Sequence, residues 1–68
     1  MPTYRFVWPT HYACHMTVPQ YDRACEIARD FNLPHNVVVQ PVFMLNDAVM
    51  IDVGSMKIVV LPDGSSHS

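Results

Sequence analysis

The sequence predicts an α+β domain of order β-α-β-β-β, with one helix packed on a four-stranded sheet that contains a C-terminal antiparallel β-meander. Three features lead there: an alternating aromatic segment near the N-terminus, one amphipathic stretch with a capping signal at its start, and apolar runs from Val37 to Leu61 broken by two short turn signals. The domain is expected to cover residues 1–62, with 63–68 a disordered polar tail.

In the first strand Tyr4, Phe6 and Trp8 alternate with Thr3, Arg5 and Val7, the period of two that a half-buried strand needs, and Pro9 ends it. Residues 10–16 are polar and aromatic without periodicity and read as a loop. Thr17 then stands at a helix N-cap, with Gln20 at the third position of a capping box and Pro19 in the first turn. Tyr21, Ala24, Cys25, Ala28 and Phe31 recur at helical spacing and make the predicted core face, while Asp22, Arg23, Glu26, Arg29 and Asp30 fall largely opposite. Asn32 suits a left-handed helix end and Pro34 prevents the helix from resuming. A right-handed crossover would set the first strand parallel to its neighbour.

Turn chemistry gives the meander a register. With Asn46 and Asp47 at the centre of a hairpin, Leu45 faces Ala48, Met44 faces Val49, Phe43 faces Met50 and Val42 faces Ile51. With Gly54 and Ser55 at the centre of the next, Val53 faces Met56 and Asp52 faces Lys57, an opposite-charge pair that a one-residue slip would lose. One face then holds Val42, Met44, Val49, Ile51, Val53, Met56, Ile58 and Val60, with Gln40 at its margin, and should meet the helix. The other holds Phe43, Leu45, Ala48, Met50, Val59 and Leu61 beside Pro41 and the Asp52–Lys57 pair. One helix covers one face of a sheet, so the second needs another cover. Phe43, Leu45, Met50, Val59 and Leu61 are the candidate partner-binding residues.

Composition points the same way. The chain of 68 residues is 50% hydrophobic and only 15% charged. Soluble domains usually carry about 25% charged residues, and small cores commonly gain support from oligomerisation, so a homodimer is expected. The net charge is −2, and the four basic residues Arg5, Arg23, Arg29 and Lys57 form no run, which argues against binding a nucleic-acid backbone. No apolar run reaches the roughly 18–20 residues of a membrane span and no secretion signal opens the chain, so a cytoplasmic protein is expected. The two cysteines, Cys14 and Cys25, read as reduced thiols.

The function this supports is a small non-enzymatic protein-interaction module that binds a larger protein through an apolar sheet face or an edge strand. An accessory inhibitor of the kind carried by phages and other mobile elements fits that description by compositional analogy. No cofactor is expected. Two alternatives have residues behind them. His11, Cys14, His15 and Cys25 are of the types that hold zinc, although their spacing lacks the two close pairs of a structural site. Tyr4, Phe6, Trp8 and Tyr12 could stack single-stranded nucleic acid, although a stripe of aromatics on a strand is more often core. A Cys14–His15 nucleophile is the enzymatic reading, opposed by adjacent side chains pointing apart and by the small volume left for a dry pocket.

Overall fold

Burial of a single polar side chain, Gln20, organises the domain: it joins the start of the helix to the end of the sheet. The computed structural model describes residues 3–9, 15–42 and 47–68. Its elements are β1 (Tyr4–Val7), α1 (Val18–Asp30), β2 (Asn36–Val42), β3 (Ala48–Asp52), β4 (Lys57–Val60) and β5 (Ser66–His67). The strands form one sheet in the order β1-β2-β3-β4-β5, every neighbouring pair antiparallel, with α1 on one face.

The helix begins and ends where local chemistry dictates. The Thr17 hydroxyl accepts from the Gln20 N–H at 3.2 Å, and Gln20 Oε1 accepts from the Thr17 N–H at 3.2 Å, a reciprocal capping box. At the other end Asn32 has φ 57°, and the Leu33 and Asn32 N–H groups donate to the Ala28 and Arg29 carbonyls at 2.8 and 3.3 Å, a Schellman closure. The buried stripe is Gln20, Tyr21, Ala24, Cys25, Ile27 and Ala28. Phe31, expected on that stripe, is the C-cap and is 39% exposed, while Ile27 takes the buried place.

The helix packs on Phe6, Val37, Val39, Val49, Ile51, Ile58 and Val60, which are buried with Trp8 in one cluster. Phe6 meets Tyr21 edge-to-face at 5.4 Å. Trp8 is held at the far end of the sheet: its Nε1 donates to the Pro34 carbonyl at 2.7 Å, its N–H to the His35 carbonyl at 3.1 Å, and its indole lies 4.8 Å from the His35 ring.

Four expectations are corrected. First, β1 is antiparallel to β2, not parallel. The end of β1 lies beside the start of β2, and α1 begins at the opposite end of the sheet, so the helix is a return stroke and not a crossover between parallel strands. Second, Val42 faces Ala48 and not Ile51, a displacement of three positions. Because the displacement is odd, every side chain of β2 changes face: Val37 and Val39 point inward, Val38 and Gln40 outward, and Pro41 pairs with Val49 on the helix side. The other hairpin keeps its predicted register, with Asp52 opposite Lys57 and the Val53 N–H donating to the Met56 carbonyl at 3.0 Å. Third, Met56, placed on the helix face by that register, is 44% exposed in the turn.

Fourth, the sheet has five strands and not four, because the chain turns back inside the segment expected to be a disordered tail. The Gly64 N–H donates to the Leu61 carbonyl at 2.9 Å and the Leu61 N–H to the Ser65 carbonyl at 2.8 Å, around Gly64 at φ 91°. The Asp63 carboxylate accepts from the Ser65 N–H at 2.9 Å, and Ser66–His67 pairs with β4. This hairpin also grips the helix. Thr17 donates to the Pro62 carbonyl, Arg23 Nε donates to Ser66 Oγ at 2.9 Å, and Gly64 lies so close to Pro19 that an added Cβ would stand 3.1 Å from its carbonyl oxygen.

Two stability outcomes are expected. Gln20 is 1% exposed, and its Nε2 donates to the carbonyls of Asp47 at 3.0 Å and Val60 at 2.9 Å. Gln20→Glu would keep the capping acceptor but lose both donations, so it should destabilise at least as much as Gln20→Ala, by about 2–3 kcal/mol in urea unfolding. An ordinary capping box would tolerate the Glu. Gly64→Ala combines a positive φ with the Pro19 contact and should cost about 1–3 kcal/mol in the same assay. A neutral result would mean that the C-terminal hairpin does not hold the helix.

Candidate interaction surface

The outward face of the sheet is built by alternation. Because β2 presents its even-numbered residues, Gln40 lies opposite Met50, and Met50 lies opposite Val59, which in turn faces His67. One row away, Arg5 lies opposite Val38 and Asp52 opposite Lys57. Continuing the β2–β3 register brings Val38 beside Asp52, and both line a shallow depression of about 220 Å³ with Gln40, Met50 and Lys57. Val38 is 51% exposed, and Met50 and Val59 are half-buried.

Of the candidate partner-binding residues, Met50 and Val59 come together as a cross-strand pair on this face. Leu61 is half-buried at the turn into β5. Phe43 and Leu45 lie outside the described residues. The face also contains Val38 and Arg5, which the predicted register left out. Their signal was present in Asn36–Val42, where Asn36 and Gln40 share one side of the strand with Val38 and mark it as the side facing water.

The sheet edges are less open than the face. Trp8 bonds across to His35, so the even-numbered residues of β1 pair with β2 and the backbone groups of Arg5 and Val7 point away from the sheet. The Val7 carbonyl accepts from the Tyr21 hydroxyl of α1, which occupies one of those outward positions. The other edge, β5, is two residues long. Short and capped edges discourage strand addition.

A second concavity of about 430 Å³ lies by the start of α1, lined by Tyr4, His15, Met16, Gln20, Pro41 and Asp47 among others. His15 stacks on Tyr4 with ring centroids 4.1 Å apart. Cys25 is elsewhere, in the apolar cluster under the helix. His11 and Cys14 lie outside the described residues, and among the described residues there is no group of three or more His, Cys, Asp or Glu side chains suited to a metal. For base stacking, Phe6 and Trp8 are committed to the core, and Tyr12 lies outside the described residues.

Burial pushes the Cys25 thiol above its ordinary value, against a smaller opposing effect of its hydrogen bond with Tyr21. A raised value favours the neutral thiol, which is inert as a nucleophile and a poor metal ligand. Comparisons with protein-family models, curated proteins and solved structures find no match.

The thiol sets a pH dependence. Its unfolded form ionises near 9.0, and the folded form does so only at higher pH. Cys25 therefore contributes stability fully below the unfolded value and loses it progressively as pH rises towards the folded value, where the unfolded chain has released the proton and the folded one has not. Urea unfolding of wild type and Cys25→Ala should differ by a constant amount at neutral pH, and the difference should shift against the wild type above pH 9. A pH-independent difference would place the thiol in water.

Proposed function

We propose that this chain is a small, non-enzymatic protein-interaction module that acts in the cytoplasm and docks its partner on the outer face of its sheet. The observation carrying this reading is the apolar patch on the face opposite the helix, formed by the cross-strand pair Met50 and Val59 and by Val38 in the adjacent row, with Val38 half in solvent. Apolar surface held on rigid strands is suited to contact with another protein, because little side-chain or backbone freedom is lost on binding. The capped and short edges favour the face over strand addition as the mode of docking.

The accessible surface of 4321 Å² is close to the roughly 4,300 Å² of a compact chain of this mass. A homodimer through the outer face and a complex with a different protein are both consistent with the module. An accessory protein that blocks a surface of a larger machine, as mobile elements carry, is the biological setting that suits its size and mild acidity.

The paired substitution Val38→Asp and Val59→Asp tests the face. Both sites are outward, so the melting temperature should change little while binding is lost, read as dissociation of any dimer in sedimentation equilibrium and as loss of specific partners in affinity capture from the native host. If wild type is monomeric and the variant captures the same partners as wild type, the outer face is not the docking surface.

A further inference from the structure

Charge is divided unevenly between the outer sheet face and the rest of the molecule. The outer sheet face holds Arg5, Lys57 and one carboxylate, Asp52, and so carries a net single positive charge. The remaining ionised side chains are Arg23 and Arg29 against Asp22, Glu26, Asp30, Asp47 and Asp63, a net of three negative charges. On the helix Arg23 is engaged, 3.3 Å from Glu26 and bonded to Ser66.

Arg5 and Lys57 are not neutralised in this way. Among the described residues neither lies within ion-pairing distance of a carboxylate; Arg5 donates only to the Asn36 amide oxygen at 3.3 Å. Asp52 is opposite Lys57 in the ladder, but its Oδ1 turns to the Gly54 N–H at 2.9 Å. The two cations sit on β1 and β4, three strand spacings apart, roughly 14 Å. Between them in the same row stand Val38 and Asp52, which with Gln40, Met50 and Lys57 line the depression.

From this arrangement we infer that the outer face selects an acidic protein segment: one that lays apolar side chains over Val38, Met50 and Val59 and sets carboxylates against Arg5 and Lys57. The inference rests on the outer face being the docking surface and adds the chemistry of what docks there. A nucleic-acid partner would need bases to stack as well as phosphates to contact, but Phe6 and Trp8 are buried in the core and Tyr4, paired with the buried Val39 on the helix side, packs against that core and stacks on His15. Acidic apolar protein sequence is the chemistry that remains.

The test uses the isotopically labelled full chain titrated with short blocked peptides in which leucine alternates with glutamate, glutamine or lysine, followed by amide shifts in NMR. The glutamate peptide should shift Arg5, Val38, Met50 and Lys57 with a dissociation constant several-fold below that of the glutamine peptide, and the difference should shrink with added salt. The lysine peptide should bind weakest, and Arg5→Glu with Lys57→Glu should invert the order. Equal affinity for glutamate and glutamine peptides at these residues would overturn the acidic preference and leave the docking face standing. Shifts on the helix side, or none, would overturn both. A single-stranded oligonucleotide that outcompetes the glutamate peptide would also overturn the assignment.

Discussion

Gln20 is the interaction on which the rest of the structure depends, because it does two jobs that small domains usually divide. A capping-box glutamine ordinarily faces water and closes its own helix. Here the side chain is buried, its oxygen caps the helix and its amide group bridges the carbonyls of Asp47 and Val60, one at each side of the β3–β4 pair. An unsatisfied amide at this depth would cost a large part of the stability available to a chain this short. The helix cannot slide or rotate on the sheet without breaking those bonds, so the apolar cluster beneath it is packed in one arrangement. The C-terminal hairpin depends on the same anchor, since Pro62, Gly64 and Ser66 all meet the first turns of that helix.

The features that were legible in the sequence are those fixed by neighbours along the chain. Thr17 and Gln20 named the helix start, Asn32 its end, and Gly54 with the Asp52–Lys57 pair named the β3–β4 turn; each acts within a few residues. The first hairpin misled because Asn46–Asp47 reads as a two-residue turn, whereas Val42 pairs with Ala48, three positions from where that turn would put it. The alternation of Asn36, Val38 and Gln40 opposed that register and was the better guide, since a strand facing water on one side must keep its polar residues there. Leu61-Pro62-Asp63-Gly64 is a turn signal of the same kind as the one at Gly54, but the polar residues after it concealed a strand whose partners are supplied by β4 and α1. The direction of β1 was not legible at all: it depends on which end of the sheet the helix starts from, and that is set by Gln20 reaching Val60 across 40 residues of chain.

The candidate surface inherits this division. Met50 and Val59 were placed correctly because they lie on the hairpin whose turn was read correctly, and Val38 was missed because it lies on the strand whose register was not. An odd register error exchanges faces, so it removed Val38, 51% exposed, from the predicted surface. Buried residues on the opposite face were insensitive to the error on β3 and β4, where Val49, Ile51, Ile58 and Val60 all point to the helix as expected.

The dimensions of the face limit the kind of binding it can support. Five strands at about 4.8 Å spacing, with central strands of some 15–20 Å, offer roughly 400 Å² of projected surface. A standard protein interface uses about 800 Å² on each partner. A flat partner resting on this sheet would therefore form a weak or transient contact, and tight binding would require a partner that also wraps the edges or fills the depression beside Met50. In so small a contact, charges at the perimeter would carry more of the selectivity than apolar area does, because Arg5 and Lys57 would act on the approach and alignment of a partner before Val38, Met50 and Val59 are covered. The fold thus separates its tasks by face: the side under α1 holds the molecule together through one buried amide and a tight apolar cluster, and the other side is left free of structural duty.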